Sequence, residues 1–407
     1  MRQRKQYNFK IYSATGTYLG TWNYVVDDPT FRTVINGGFV ELDVKLARKT
    51  IDFGETTDVA LGNEVQLWCF DDDAPNGTKI FSGYISRYDP VNDGPQDYIR
   101  VYILGWHTRM AQFIHEDSLG STGISYNSTD PGKIAEDIIN KAQVNGLPIT
   151  WDETTLQKTG ITASYSFLAN TVQECIDKVL SLSPFGWYWY VDANKKLNLH
   201  PKNEQATHTF TIGKQVFFIQ PQKRIENLVN RIYFVGGIPD GGTEPLFARY
   251  DRPVSQRNYG LWAQKISDQR VTLQSTMDAI ADNILDQQQE IEIRTIIRVK
   301  DNSYDRDDGY DIESIKIGDT CQIRNYQDAF ANSKWDVMSW DIDYWDYNVR
   351  NLTEIIMQIV EIQYTPDYVE LTISSKIPNV SKRVQDLNNQ LLAATTADAP
   401  SNPSIGS

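Results

Sequence analysis

The segment "LGNEVQLW" (Leu61–Trp68) and the run "IFSGYISRYDPVNDGPQDYIRVYI" (Ile80–Ile103) return in pattern late in the chain. Their counterparts are "IGDTCQIR" (Ile317–Arg324) and, after a longer insertion, "IIMQIVEIQYTPDYVELTI" (Ile355–Ile373). In both, a Leu/Ile-Gly-Asn/Asp turn opens an alternating strand, and a strand ending in Tyr, a proline turn and another strand follow. This order is more specific than alternation alone, so we predict two related antiparallel β-barrels. Two unrelated antiparallel pieces are the alternative.

Helices between these runs carry recognisable start signals. "STDPGKIAEDIINKAQVNG" has Asp130 as a candidate N-cap and Pro131 at the first helical position. "NTVQECIDKVLSLSP" places Thr171 and Glu174 at the spacing of a capping box. A further amphipathic helix is predicted in "TLQSTMDAIADNILDQQQ", and the long strand "EIEIRTIIRVKD" follows it.

An aromatic hairpin is predicted in "SPFGWYWYVDANKKLNLHP" (Ser183–Pro201). Trp187 and Trp189 point to one face of its first strand, and Tyr188 and Tyr190 point to the other. The preceding helix must cover one face, so half of these aromatics are expected in a core. For the two tyrosines, cross-strand packing is favoured over a platform for sugars or bases.

The predicted fold class is mainly β with α+β insertions, two related antiparallel β-barrel domains, helix–hairpin domains and a short C-terminal helix. The predicted domains are a first β-barrel at 1–115, an α+β domain with the aromatic hairpin at 116–206, a second β-barrel at 207–240 and 300–377, an inserted α+β segment at 241–299, and a C-terminal helix with a flexible tail at 378–407.

Two further segments are candidate contact sites. A heptad seam of about two heptads predicts either a link between chains or a helix folded back on its own domain; its residues are Val384, Leu387 and Leu391. A second aromatic segment, "KWDVMSWDIDYWDY", interrupts the later barrel and is harder to bury than the first. Its candidate exposed contacts are Trp335, Trp340, Tyr344 and Trp345.

Charge and cysteine usage exclude several classes of protein. The formal net charge of the 407 residues is −14, which argues against ordinary duplex-DNA binding, because that needs clustered cations. Cys69, Cys175 and Cys321 are far apart and odd in number, so we predict no disulfide framework but three buried thiols in a protein that folds in a cytoplasm. No apolar run approaches the ~20 residues of a membrane span.

Motifs for catalysis and metal binding are absent from the sequence. The four histidines lack zinc-ligand spacing, and no Gly-x-Ser-x-Gly, Walker A or Gly-x-Gly-x-x-Gly sequence occurs. The acidic run "DNSYDRDDGYDIE" fails as an EF-hand, since Tyr304 and Arg306 stand at ligand positions, and it is expected to form a solvated loop. We predict no catalytic residue, metal ligand or cofactor. Paired carboxylates for glycoside hydrolysis stay open, because only their separation in space defines them.

Four segments, taken in order, resemble the baseplate or tail-tip hub proteins of tailed bacteriophages, including the hub region of siphophage tail-associated proteins. They are "IFSGYISRY", "NTVQECIDKVLSLSPFGWYWYVDANKKLNL", "NLVNRIYFVGG" and "IKIGDTCQIRN". The resemblance implies a homotrimeric ring with two barrels per chain. It also implies contacts with the distal tail protein ring and with fibres or receptor-binding proteins, around a channel for tape-measure protein and DNA. Many relatives continue into a peptidoglycan-hydrolase domain that we do not find in this sequence, so we expect any lytic function to belong to another protein.

The leading hypothesis is therefore a structural protein of the virion tail tip that is not an enzyme. A symmetric trimer with two barrels per chain would present six similar barrels, and so match a sixfold tail to a threefold tip. The acidic composition suggests a negatively lined channel through which DNA passes during ejection without specific binding. The alternatives are a carbohydrate-binding adhesin or fibre-attachment protein and, second, a divergent peptidoglycan hydrolase.

Overall fold

A computed structural model of the chain describes residues 5–22, 24–47, 58–70, 75–93, 96–117, 120–239, 241–301, 310–324 and 356–376. Within these ranges, one large sheet of 15 strands is accompanied by a three-stranded and a two-stranded sheet. The predicted mainly β class is confirmed. Among the same residues, no helix combines the length and the hydropathy that a membrane crossing requires.

Seven strands form the N-terminal repeat, residues 6–105. They are β1 (Gln6–Tyr12), β2 (Tyr18–Trp22), β3 (Thr30–Val34), β4 (Gly37–Leu46), β5 (Glu64–Phe70), β6 (Thr78–Asp93) and β7 (Gln96–Gly105). Their order is β3-β4-β7-β6-β5-β1-β2, with antiparallel neighbours throughout. The proline turn predicted after the strand that ends at Tyr88 is wrong in extent, because β6 and β7 continue through most of the segment "DPVNDGPQ". Pro90 lies inside β6, where its ring nitrogen need not donate to β7.

Helices, a two-stranded sheet and the aromatic hairpin follow. Their elements are a 3-10 helix (Trp106–Gln112), β8 (Gly123–Thr129), α1 (Pro131–Val144), β9 (Ala163–Leu168), α2 (Val172–Leu182), β10 (Trp187–Val191) and β11 (Leu197–Pro201). The predicted helix starts are confirmed. Asp130 accepts a hydrogen bond from the Gly132 N–H at 2.7 Å, and Thr171 and Glu174 form the complete capping box.

The next part of the chain begins with two strands of the large sheet and continues into an inserted segment. The elements are β12 (His208–Thr211), β13 (Val216–Arg224), β14 (Arg231–Val235), β15 (Phe247–Asp251), α3 (Pro253–Tyr259), β16 (Ala263–Ser267) and α4 (Gln274–Gln288). The three-stranded sheet has the order β15-β14-β16. The predicted boundary at 240 is thus corrected for β14, which pairs within the inserted segment.

Four strands complete the large sheet. They are β17 (Glu292–Lys300), β18 (Thr320–Arg324), β19 (Met357–Tyr364) and β20 (Tyr368–Ser374), with a 3-10 turn at Ile312–Ser314. β17 pairs with β13 and β20, so the predicted boundary at 300 is corrected as well. We call β12, β13 and β17–β20 the C-terminal repeat. Alternation alone cannot say which of two sheets a strand will join, and this explains both boundary errors.

The two repeats share one strand order. The N-terminal repeat runs β3-β4-β7-β6-β5, and the C-terminal repeat runs β13-β17-β20-β19-β18. Their registers agree as well. Ile103 and Ile373 are the last residues of the repeated segments "DYIRVYI" and "DYVELTI". Leu42 on β4 pairs with Ile103, and Thr295 on β17 pairs with Ile373. The bulges agree too, since β6 is irregular just after its pair with Ile103, and β19 just after its pair with Ile373. In the described ranges, strand pairing does not close either repeat into a barrel.

The Gly-Asn and Gly-Asp turns of the repeated motif make the same contacts. In each, the glycine N–H donates to an isoleucine carbonyl oxygen, and the N–H of that isoleucine donates to the residue after the glycine. The four bonds are Gly62 N to Ile85 O (2.8 Å), Ile85 N to Asn63 O (2.9 Å), Gly318 N to Ile359 O (3.0 Å) and Ile359 N to Asp319 O (2.8 Å). The sequence echo therefore corresponds to one recurring piece of structure.

Candidate assembly surface

The two repeats are joined edge to edge by β3 and β19, which we call the internal joint. These strands pair antiparallel, from Phe31 opposite Tyr364 to Val34 opposite Glu361, and Ile35 N donates to Val360 O at 3.0 Å. The sheet consequently runs without a break from β13 through β17, β20, β19, β3, β4 and β7 to β6. One chain thus carries two copies of a strand arrangement in a single sheet.

Apolar packing supports the internal joint. The Phe31 and Tyr364 rings stack with centroids 4.7 Å apart and planes 15° apart. Side chains that alternate along both strands toward the core are no more than 7% exposed: Phe31, Thr33, Ile35, Val360, Ile362 and Tyr364. The cores of the two repeats merge into one hydrophobic cluster as a result.

The aromatic hairpin is buried on both faces. Trp187 and Trp189 lie in the core beneath α2, whereas Tyr188 lies in the core of the repeats and stacks on half-buried Tyr190 at 6.2 Å. Burial raises the pKa of the Tyr190 hydroxyl to about 12. The expectation of core and cross-strand packing is confirmed for these tyrosines.

The hairpin is docked on the start of β4. The N–H of Asn36 donates to the Trp189 carbonyl oxygen at 2.8 Å, and β10 runs parallel to the first residues of β4. Gly38, at φ +136°, comes so close that an added Cβ would lie 2.6 Å from the Val191 carbonyl oxygen. Glycine is therefore required where the backbones of β4 and β10 approach.

A buried ionic cluster ties the N-terminal residues to the C-terminal repeat. The Lys5 ammonium lies 2.9 Å from Asp301 and 2.8 Å from Asp311, and it also pairs with Glu313. Tyr7 donates to Glu313 at 3.2 Å. The Lys5 side chain is 8% exposed. Residues about 300 positions apart in the sequence therefore share one group of charges, in which Lys5, Asp301 and Glu313 are buried and Asp311 is partly exposed.

Sequence reasoning missed this cluster. Part of the acidic run was expected to be a solvated loop, but Glu313 is buried. Burial, followed by the hydrogen bond with Asp311, raises the pKa of Glu313, while Lys5 opposes that shift. Burial disfavours the charge on Lys5, yet the three carboxylates together hold its pKa above the ordinary value. No local pattern around Lys5 could have revealed a partner some 300 residues away.

A cavity of about 370 Å³ lies between the hairpin, the internal joint and the 3-10 turn. Its lining is more apolar than polar, and its charged groups are Lys79, Asp192, Glu313 and Lys316. In the part of the chain that the structure describes, no group of three or more His, Cys, Asp or Glu side chains is arranged to hold a metal ion. All three cysteines are buried and free, as predicted.

The face of the large sheet that points away from the core carries paired charges. The pairs are Arg32 with Glu361, Arg100 with Asp43, Arg294 with Glu361 and Arg298 with Glu370. These exposed pairs stabilise the sheet little, because solvent screens them. Four arginines thus meet three carboxylates, so these pairs contain no acidic excess.

The two candidate contact segments lie outside the described residues. These are the seam at Val384, Leu387 and Leu391 and the aromatic positions Trp335, Trp340, Tyr344 and Trp345. Both remain predictions.

Comparison with known structures identifies the architecture. A prophage tail protein, gp18, from Listeria monocytogenes EGD-e is similar over 94% of this chain and 99% of that one, with a TM-score of 0.56 at 12% identity. The 43 kDa tail protein of prophage MuSo2 from Shewanella oneidensis is similar over 90% and 98%, with a TM-score of 0.56 at 10% identity. This chain has the fold of phage tail proteins. A tail protein from Neisseria meningitidis MC58 also shares it, over 90% and 96% of the two chains, at a TM-score of 0.53 and 9% identity.

No protein-family model and no curated protein matches the sequence. The resemblance drawn from short ordered motifs is therefore confirmed through structure, at the level of fold.

Proposed function

We propose that this protein is a structural hub of a bacteriophage tail tip or baseplate, assembled as a homotrimeric ring. The observation that carries the proposal is the presence of two repeats with the same strand order and register, joined into one sheet. Three such chains place six similar units around one axis. That object matches a sixfold tail ring on one side and a threefold tip on the other.

The proposed partners follow from this position in the virion. The ring contacts the distal tail protein ring above and tail fibres or receptor-binding proteins below, and its bore admits tape-measure protein and DNA during ejection. The polar face of the sheet is the natural lining of the bore. The four arginine–carboxylate pairs named above are close to balanced in charge and do not by themselves favour an acidic lining, which stays a prediction.

The alternatives receive less support. Tyr188 is buried in the core and Tyr190 stacks on it half-buried, so the two rings form no open platform for a carbohydrate as an adhesin would need. For the hydrolase alternative, zymography on host cell walls with the purified protein is the direct test. We expect no clearing, and a cleared zone would replace the structural proposal with an enzymatic one.

Mass measurement in solution tests the proposed ring. Native mass spectrometry and sedimentation of the purified full chain should give three chains per particle, and negative-stain images should show a ring with six lobes. A monomer at concentrations of hundreds of micromolar, or a particle without threefold symmetry, would overturn the proposal.

A further inference from the structure

Two stretches of strand edge in the large sheet are open. The first is β13, which ends the sheet and, among the described residues, has only β17 as a neighbouring strand of the ladder. The second lies within β6, which pairs with β5 up to Tyr84 and with β7 from Gly83 onward. The side of Ser86–Pro90 that faces away from β7 therefore has no partner strand among the described residues.

The correspondence between the repeats relates these two edges to the internal joint. β13 occupies the position in the C-terminal repeat that β3 occupies in the N-terminal repeat, and β6 is likewise the counterpart of β19. β3 and β19 pair with each other in the internal joint. The two open edges therefore correspond to the two strands that pair in the internal joint, but they belong to different repeats and lie apart in one chain's sheet.

We propose that β13 of one copy pairs antiparallel with residues 86–90 of β6 in a second copy, so that the internal joint recurs between chains. This inference rests on the proposed ring and names the surface that closes it. The interface is heterologous, since each copy offers one β13 edge and one β6 edge. Such an interface closes into a ring when the rotation per copy permits.

The register follows from the internal joint. Pro221 pairs with Thr295 as Phe31 pairs with Leu42, and Pro90 pairs with Ile99 as Tyr364 pairs with Val369. Because Phe31 faces Tyr364, Pro221 of one copy faces Pro90 of the next. Counting along the strands then places Gln222 opposite Asp89, Lys223 opposite Tyr88 and Arg224 opposite Arg87.

Backbone direction is consistent with this register. The Ser375 N–H donates to the Ile293 carbonyl oxygen, so the odd-numbered residues of β17 face β20 and the even-numbered ones face β13. Gln222 lies opposite Arg294, so its backbone N–H points toward β17. The backbone groups of its neighbours Pro221 and Lys223 therefore point toward the open edge. Prolines on an edge discourage unrelated strands. Where proline faces proline, neither strand has an N–H to donate, so this pair adds no backbone hydrogen bond and the ladder of the joint depends on Lys223 opposite Tyr88.

Side chains at the two open edges are more exposed than their counterparts in the internal joint, which indicates that a covering strand is missing. Ile35 is 5% exposed in the internal joint, whereas Ile225, its counterpart after β13, is 41% exposed. Phe217 and Phe218 on β13 are 57% and 36% exposed. On the other edge, Ser86 and Tyr88 are partly exposed where β19 has buried residues.

Charge complementarity is local at this interface. Arg224 and Arg87 face each other, but Asp89 lies 3.2 Å from Arg87 and diagonal to Arg224 in the proposed register. The interface is therefore expected to retain its apolar component in salt.

Site-directed disulfide formation tests both the interface and its register. Asp89 and Gln222 form a non-hydrogen-bonded pair in the proposed joint, where facing Cα atoms lie about 4.5 Å apart and a disulfide fits. We expect the Asp89→Cys/Gln222→Cys protein to give covalently linked dimers and trimers under mild oxidation. The three native cysteines are buried and can be retained.

Matched variants define the controls. Asp89→Cys/Lys223→Cys shifts the register by one residue and turns the two thiols to opposite faces, so it should not cross-link. Neither single variant should cross-link, whereas a mixture of the two singles should give only a dimer containing one of each.

The outcomes separate this inference from the proposed function. A particle of three chains in which the matched pair fails to cross-link overturns the β6–β13 interface and leaves the ring standing. If the matched pair cross-links, the shifted pair does not, and the particles contain a number of chains other than three, the interface is supported and the trimer is overturned. Equal cross-linking of the matched and shifted pairs overturns the register.

Discussion

Replacing the two turn glycines by alanine separates backbone strain from packing at the hairpin. Gly62 and Gly318 occupy equivalent positions in the two repeats, with φ of +82° and +86°. Their surroundings differ. An added Cβ at Gly318 would lie 2.0 Å from the Tyr188 ring, whereas the nearest atom to a Cβ at Gly62 is the Ala14 side chain at 4.0 Å.

The expected magnitudes follow from these distances. A left-handed backbone costs an alanine about 1–2 kcal/mol at either site. Overpacking against a buried ring adds about 1–3 kcal/mol at Gly318. Gly62→Ala should therefore lower the free energy of unfolding by about 1–2 kcal/mol and Gly318→Ala by about 2–5 kcal/mol.

Equilibrium unfolding in urea, followed by tryptophan fluorescence, measures both changes, and the tryptophans at 187 and 189 report on the hairpin itself. In a Tyr188→Ala background the Gly318→Ala substitution should lose its excess cost, because the ring is gone. Equal losses for the two glycine variants, or an excess that persists without the ring, would refute the packing of the hairpin on the C-terminal repeat.

Three further substitutions probe buried polar groups and the open edge. Lys5→Met should destabilise the protein by about 3 kcal/mol at pH 7, because it leaves buried carboxylates without their cation. Urea unfolding at pH 7 and at pH 4 measures this loss of stability. The loss should be smaller at pH 4, because Glu313, whose pKa is already raised, takes up a proton there. Burial lowers the pKa of His115 from 6.5 to about 4. As the pH drops from 6.5 to 4, the unfolded chain therefore binds a proton before the folded chain does, and the free energy of unfolding falls. His115→Gln should remove up to about 3 kcal/mol of this pH dependence, and an unchanged slope of unfolding free energy against pH would contradict the assignment. Lys223→Pro removes an N–H from the open edge of β13 and should weaken association about tenfold without unfolding the chain, whereas Gln222→Pro, which removes an N–H facing β17, should lower the melting temperature.

Local patterns were sufficient for the capped helices, the aromatic hairpin and the repeat. Asp130 and Thr171 mark helix starts because capping bonds join residues two or three positions apart. The Gly62 and Gly318 turns were recognisable because a positive φ favours glycine wherever such a turn occurs. Alternation along β7 and β20 likewise reflects the two faces of a strand, which is a property of neighbouring residues.

Contacts across the fold were decided only in three dimensions. β14 and β17 both read as strands, yet the sheet that each joins depends on edges supplied by distant parts of the chain. Lys5 looks like one more surface cation until the fold brings Glu313 to it. The internal joint of β3 with β19 is the clearest case. Strand alternation prescribes which side chains face inward, but the edge that meets another edge is set by how the whole sheet curves, and no short stretch of sequence contains that information.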